Sequence, residues 1–408
     1  MSDVTTGPKP RELNEETMVE VRKRIGIPVR YSPKQHNEIS SSDSFRHFAR
    51  AYGDDNPLFN DPPYAEASSW GTSIAPPIYP FSAGVWRETN WSDAERTLMK
   101  SGDPLRGIGQ YMCGERWVFP RPVRAGDVLH MSQALHSAEL KQSAFGGGTG
   151  ALLSHRVSWE DEAGSPYAYR FLDYWHADRE KSRKAGKNRD LPTPHYTDED
   201  MARYEQLWDA ETRRGSTPLT IDEVQVGDDL GTIAKGPMGT TELVAWHVGV
   251  GWGHFGGGAS RIGYKNRQRV PAFYTRTTMG TWDSAQRCHW DDEWAQRMGH
   301  PYAYDYGVMR SNWMVNLVTN WMGDDAWIWT MASAVRKFNY SGDFHLISGV
   351  VREVDKAANT VTIDAWGDNQ RGERTCDARF VVILPPAGGG HAVIPPFEPD
   401  QVPEAQTP

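Results

Sequence analysis

Ala51-Tyr52-Gly53-Asp54-Asp55-Asn56-Pro57-Leu58-Phe59-Asn60-Asp61-Pro62-Pro63-Tyr64-Ala65-Glu66 is the stretch on which the reading of this chain turns. Just before it, Phe45, Phe48, Ala49 and Tyr52 recur at i, i+3, i+4 and i+7, the spacing of one buried helix face. Ser41, Ser42 and Asp43 supply cap candidates for that helix. A weaker version lies far downstream, where Thr240 and Thr241 precede Leu243, Val244 and His247. Strands come next in both places. Val361, Ile363 and Ala365 alternate with Thr360, Thr362 and Asp364, the period-2 pattern of a half-buried strand. One helix wrapped by an antiparallel sheet, twice over, is an α+β arrangement.

A weak internal repeat supports the duplication. Residues 115–127 place an aromatic strand before a Gly126-Asp127 turn and a new strand from Val128 to Leu135. Residues 335–343 do likewise before Gly342-Asp343, and Phe344 to Val354 then alternates like a strand. About thirty residues further on, each half has a polar turn within a strand pair, Trp159 to Gly164 and Asn369 to Glu373. The charged stretch from about 178 to 216 reads as a linker, partly helical, and the Pro- and Gly-rich tail after Pro385 as disordered or loosely draped. The expected boundaries are a first domain at 20–180, a linker at 181–216, a second domain at 217–386 and a tail at 387–408.

Length and composition bound the function. With 408 residues, two domains of ordinary size fit. No apolar run approaches a membrane span, and the polar N-terminus offers no secretory signal, so a cytoplasmic protein with no membrane partner is expected. Three widely spaced cysteines suggest neither disulfides nor a zinc cluster. A net charge of −9 argues against a nucleic-acid partner, which needs clustered cations, while leaving room for a ligand whose phosphates need only a few. Most of the 17 Trp residues read as core and interface filler; the rival reading is an aromatic-lined cavity.

The quoted stretch resembles the signature of the MaoC-like and R-specific enoyl-CoA hydratase family, Gly-Asp-x-Asn-Pro-hydrophobic-His and then an aromatic, Asp and a Tyr-Ala pair. Ile74-Ala75-Pro76-Pro77 is similar to the next segment of that family's N-terminal dehydratase domain. The resemblance implies two tandem hot-dog domains, each an antiparallel sheet around a central helix, forming a double hot-dog. In the first domain Asp54, Asn56 and Pro57 match, but Phe59 stands at the catalytic His, so this copy reads as silent and Asp54 as the brace of a turn. In the second, Cys288-His289-Trp290-Asp291-Asp292-Glu293-Trp294-Ala295 puts His289 at the catalytic position and Gly307 at the oxyanion-hole glycine. The family's Asp lies five residues before its His, where this chain has Ser284; Asp283 lies six before, after an insertion at roughly 252–282 that is rich in Gly and Arg.

The resemblance implies a hydratase or dehydratase, a carbon–oxygen lyase of fatty-acid metabolism, acting on an enoyl-CoA or 3-hydroxyacyl-CoA with a bulky acyl group. Hydration next to a thioester needs a base for water, an acid for C2 and a donor for the enolate oxygen. His289 with Asp283 are the candidate acid/base pair and the Gly307 N–H the oxyanion donor, since Gly307 precedes an amphipathic run (Met314, Leu317, Val318, Trp321). Arg261, Lys265, Arg267 and Tyr306 are candidate substrate-binding residues. The bland rivals are a hydrogen-bonded structural His, a turn-capping Asp283 and a solvent-exposed basic loop at 261–269. Asn312, Asn316 and Asn320 share one helix face, read as solvated or interhelical rather than as a polar channel.

The Gly146–Gly148 and Gly256–Gly258 runs lack phosphate-loop spacing and read as flexible loops. His254, Cys288 and His289 are too weak a set for a metal site, so neither metal nor cofactor is expected, and acyl-CoA arrives as substrate. A homodimer is one possible assembly. The rival functions are a non-catalytic acyl-CoA-binding or partner subunit, and a hot-dog thioesterase.

Overall fold

The computed structural model describes residues 12–30, 34–143, 148–178, 191–251, 257–397 and 402–404. Linker residues 179–190, Gly146, Gly147, Gly256 and His254 therefore lie outside the described residues. The first half contains helices α1 (Glu15–Arg22), α2 (Ser42–Ala51), α3 (Pro57–Asn60), α4 (Pro62–Ala67) and α5 (Asp93–Lys100). Its strands are β1 (Val85–Trp86), β2 (Gly109–Val118), β3 (His130–Ser143), β4 (Gly148–Glu160) and β5 (Pro166–Ala177). After α6 (Asp198–Asp209), the second half has α7 (Thr240–Gly249), α8 (Arg261–Arg269), α9 (Asp292–Arg297) and α10 (Gly307–Met322). Its strands are β6 (Asp229–Lys235), β7 (Tyr274–Arg276), β8 (Trp282–Ser284), β9 (Trp327–Val335), β10 (His345–Asp355), β11 (Thr360–Asn369) and β12 (Arg374–Ile383).

Ten strands form one sheet in the order β1-β3-β4-β5-β2-β9-β12-β11-β10-β6. Each half contributes its strands in the same sequence: first, third, fourth, fifth, second. The halves join edge to edge where β2 pairs antiparallel with β9 (Gly114 opposite Ala334, Val118 opposite Thr330). That pairing satisfies two sheet edges within one chain. This is a double hot-dog.

The two halves differ in what fills the concave face. In the second, α10 lies in the sheet with fourteen of its sixteen residues buried, as expected of a helix enclosed all round. Val361, Ile363, Ala365, Phe380 and Val382 seal against it at 0–1% exposure. Burying each large apolar side chain there contributes about 1.5–3 kcal/mol. In the first half, the chain at the same point of the order carries Pro76, Pro77 and Pro80 and manages only a 3-10 turn at Tyr79–Ser82. Proline has no N–H to donate and clashes with the preceding turn, so no long helix forms.

The wrapped helix is thus α10, not the helix near the start of each half. Helices α2 and α7 instead pack on one another, so closely that a Cβ on Gly249 would lie 2.5 Å from Ala51 Cβ. Helix α2 buries Phe45, Phe48 and Ala49 and begins with a Ser41–Ser44 capping box, in line with its sequence pattern. On α7 the buried face is Leu243 and Trp246, leaving Val244 exposed and His247 on the flank.

Three other expectations change. Asn312, Asn316 and Asn320 are buried, and the last two accept from Lys235 Nζ (2.8 Å) and Arg213 Nε (3.1 Å). Those two partners satisfy the amide oxygens of Asn316 and Asn320. Residues 261–269 are a helix capped by Ser260 rather than a loop. The tail is not wholly loose: Phe397 and Val402 cover the outer face of β2 and β5 at Val118, Tyr169 and Phe171. Among the described residues, no helix is long and apolar enough to cross a membrane.

Candidate active site

The N-terminus of α10 organises the site. Its anchor is a buried ion pair, Arg310 Nε to Asp305 Oδ2 at 2.8 Å, completed by Asn339 Nδ2 at 2.9 Å from the same carboxylate oxygen. Burial raises the Asp305 carboxyl to about 6, opposed by Arg310 and Asn339. This pair fixes the segment Tyr304-Asp305-Tyr306 that feeds the helix. Tyr306 is the N-cap residue and makes no capping bond, and no acceptor among the described residues takes the Gly307 N–H. A free N–H at a helix N-terminus favours developing negative charge. Gly307 has ordinary φ, so its lack of a side chain matters for space: a Cβ would lie 3.0 Å from Met112 Sδ and 3.2 Å from Val335 Cγ2.

His289 ends a 3-10 turn, Ala285–His289. Buried Arg287 holds that turn through Asp291 (3.1 Å), Thr275 Oγ1 (2.6 Å) and the Arg276 carbonyl (3.0 Å). The half-buried His289 ring places Nδ1 2.8 Å from the Tyr304 carbonyl oxygen. A carbonyl only accepts, so Nδ1 carries the proton and Nε2 the lone pair. The ring lies flat on Tyr306, centroids 3.7 Å apart. Tyr306 is in turn stacked on Trp246 at 4.6 Å, and its hydroxyl is 2.7 Å from His247 Nδ1. Burial lowers the His289 imidazole to about 4, with His247 and His300 nearby pushing the same way. His289 is therefore neutral across the physiological range. Burial raises the Tyr306 hydroxyl, which stays protonated.

The structure brings His289, Tyr306 and Gly307 together. Asp283 is held elsewhere: β8 pairs with β7 in a separate two-stranded ribbon, and Asp283 Oδ1 accepts from the Ser284 N–H at 2.7 Å. Among the described residues, no hydrogen bond joins Asp283 to His289. Ser284 is buried. Arg261 and Lys265 are exposed one turn apart on α8, whereas the Arg267 guanidinium sits over the Trp282 ring at 4.5 Å. The contact ties α8 to the ribbon that leads into the His289 turn.

In the first half Asp54 is buried, accepting from the Asn56 N–H (2.9 Å) and the Tyr52 hydroxyl (3.1 Å), which braces the turn into α3. Burial raises its carboxyl. Phe59 fills the core at 6% exposure. The functional neighbours that sequence reasoning missed are His247, Trp246 and Met112. The first two show as a polar–aromatic pair flanking the Leu243 face of α7; Met112 carries no sequence signal.

Residues 27–170 match the family described as the FAS1-like, dehydratase domain region. A UPF0336 protein of Streptomyces avermitilis is 31% identical over 110 residues, covering 26% of this chain and 67% of that protein. Among solved structures, a MaoC-like dehydratase superposes with TM-score 0.59 at 16% identity, covering 89% of this chain and 99% of that one. A Mycobacterium tuberculosis protein described as having a double hotdog fold gives TM-score 0.50 at 13% identity, covering 89% and 97%. A putative MaoC domain protein dehydratase from Chloroflexus aurantiacus J-10-fl gives 0.50 at 11%, covering 88% and 95%.

Proposed function

Since this chain belongs to the MaoC-like hot-dog dehydratase family, we propose that it adds water to, or removes it from, the C2–C3 bond of an α,β-unsaturated acyl thioester. The thioester in this reading is an acyl-CoA with a bulky acyl group. One observation carries the reading: Nδ1 of His289 is committed to the Tyr304 carbonyl, which leaves the lone pair on Nε2, and the ring is stacked on Tyr306, the residue before Gly307 with its free N–H. In hydration, the water oxygen bonds to C3 while its proton passes to His289 Nε2. The π pair of C2–C3 moves toward the thioester oxygen, where the Gly307 N–H accommodates it. The imidazolium then returns its proton to C2, closing the balance. With no carboxylate hydrogen-bonded to His289 among the described residues, one imidazole serves as both base and acid. The bulky acyl group is supported by the first half, whose concave face has no long helix.

Arg261 and Lys265 are the candidate contacts for CoA phosphates, being exposed cations one turn apart on α8. A second reading, a non-catalytic acyl-thioester-binding or partner subunit, is favoured because no carboxylate among the described residues is hydrogen-bonded to His289. Hydration of a panel of trans-2-enoyl-CoAs, monitored by loss of enoyl absorbance, separates the two. Turnover by the wild type, abolished in His289→Ala, supports the hydratase. Tight acyl-CoA binding without turnover at any chain length supports the subunit, and release of free CoA would point to thioester hydrolysis instead.

A further inference from the structure

On the concave face of the first half, two histidines stand on β4 and β5, whose second-half counterparts, β11 and β12, bury Val361, Ile363, Ala365, Phe380 and Val382. Along β4 the inward residues are Trp159, Val157, His155, Leu153 and Ala151; opposite them on β5 stand Ala168, Arg170, Leu172, Tyr174 and His176. Val157 and Trp159 belong to the main core, while Ala151 and Leu153 belong to a separate cluster roofed by Met18 and Val21 of α1. His155 falls between the two roofs. It and Tyr174 remain partly accessible although they face inward, and so does Met112, which is paired with Tyr174. Met112 is the side chain nearest the missing Cβ of Gly307. The accessible strip therefore starts at the oxyanion glycine and runs under the first-half sheet.

His176 lies at its far end, two residues and so about 7 Å beyond Tyr174 along the strand. It is 6% exposed, and neither ring nitrogen has a partner among the described residues; His155 Nδ1 also has none. A buried polar group left unpaired costs on the order of 1–3 kcal/mol, so each calls for a partner; His155, opposite Leu172, stands on the near side of Tyr174 and His176 on the far side. We propose that His176 at the far end, with His155 against Tyr174 before it, supplies the hydrogen bonds of the acyl passage, and that the natural acyl group carries a hydroxyl or oxo function remote from the thioester. This rests on the acyl-thioester reading above and names its substrate class. Burial lowers both imidazoles, His176 to about 4. Each is thus neutral and offers one N–H and one lone pair, the complement of a hydroxyl and not of a carboxylate.

The test is calorimetric binding of saturated acyl-CoAs in matched pairs, plain and ω-hydroxylated, across a series of lengths. Binding does not require turnover, so failure of the hydratase reading leaves this result interpretable. The wild type is expected to prefer the hydroxylated member at one length by roughly three- to tenfold, the worth of one neutral hydrogen bond. In His176→Leu or His155→Leu that ratio falls toward one. His176→Gln, which keeps a donor and an acceptor, retains it, and so does His136→Leu, a histidine on the opposite face against Phe171. Equal binding of every pair by the wild type, or a preference unchanged in both leucine variants, overturns the proposal and leaves the histidines as hydrated or structural residues.

Discussion

The His289 ring lies 3.7 Å from the Tyr306 ring with 26° between their planes, and Trp246 covers the other face of Tyr306. The stack fixes the imidazole against the residue that immediately precedes Gly307, so the proposed base and the proposed oxyanion donor share one rigid support. Tyr306→Leu is expected to lower enoyl-CoA hydration by about tenfold or more through lost orientation, since a small misplacement of a catalytic group costs up to ~100-fold. Tyr306→Phe keeps the stack and loses only the bond to His247, so it should retain much more of the rate. Equal losses in the two variants would locate the importance in the hydroxyl instead.

His345 sets a pH dependence. It is fully buried, its Nε2 2.8 Å from Thr375 Oγ1, and burial beside Arg310 pushes it down to about 3 from the ordinary 6.5. The folded state therefore binds fewer protons than the unfolded state throughout that window. Its contribution is fully present above pH 6.5 and is lost as pH falls toward 3. His176, His289 and His300, each lowered to about 4, act in the same direction. Melting temperature should fall from pH 6.5 to 4, and His345→Leu should flatten that slope; an unchanged slope would rule out His345 as a source of it.

Glu115 and Arg170 form a buried pair at the join between the halves, 2.7 Å apart, with the guanidinium over the rings of Phe81 and Trp117. Removing one partner strands the other charge away from water. Glu115→Gln should cost about 3–5 kcal/mol in denaturant unfolding, and Glu115→Leu combined with Arg170→Met should recover most of it. A double variant as unstable as the single one would show that the pair contributes more than mutual neutralisation.

The duplicated order of strands was legible because turns such as Asn369–Glu373 punctuate alternating segments that local chemistry alone specifies. The signature likewise led to Asp54, which braces a turn, and to His289, which stacks on Tyr306. The features that the sequence did not reveal are long-range. The i, i+3, i+4 stripe of α2 is the same whether the helix is wrapped by a sheet or lies on another helix, and only α10 proves to be wrapped. His247 looked like part of an apolar face because a stripe does not say which flank meets Tyr306. Asp283 sits one residue from Ser284, and a one-residue shift on a strand turns a side chain to the other face, which spacing alone does not resolve.

Gly307 gives the sharpest separation of space from chemistry. Its φ suits any residue, so Gly307→Ala meets no backbone strain; the added methyl instead meets Met112 Sδ at 3.0 Å and Val335 Cγ2 at 3.2 Å. Met112 is a flexible side chain able to yield, whereas Val335 is branched and set in β9. Overpacking of this kind costs about 1–3 kcal/mol. Because the strain displaces the N-terminus of α10, hydration should fall by more than the stability loss explains, with the folded fraction held constant. Val335→Ala added to Gly307→Ala opens the space again and should restore stability. Activity returns with it if the Gly307 N–H only needs its position. If stability returns and activity does not, the methyl itself obstructs the thioester, and the absent side chain of Gly307 is part of the binding surface.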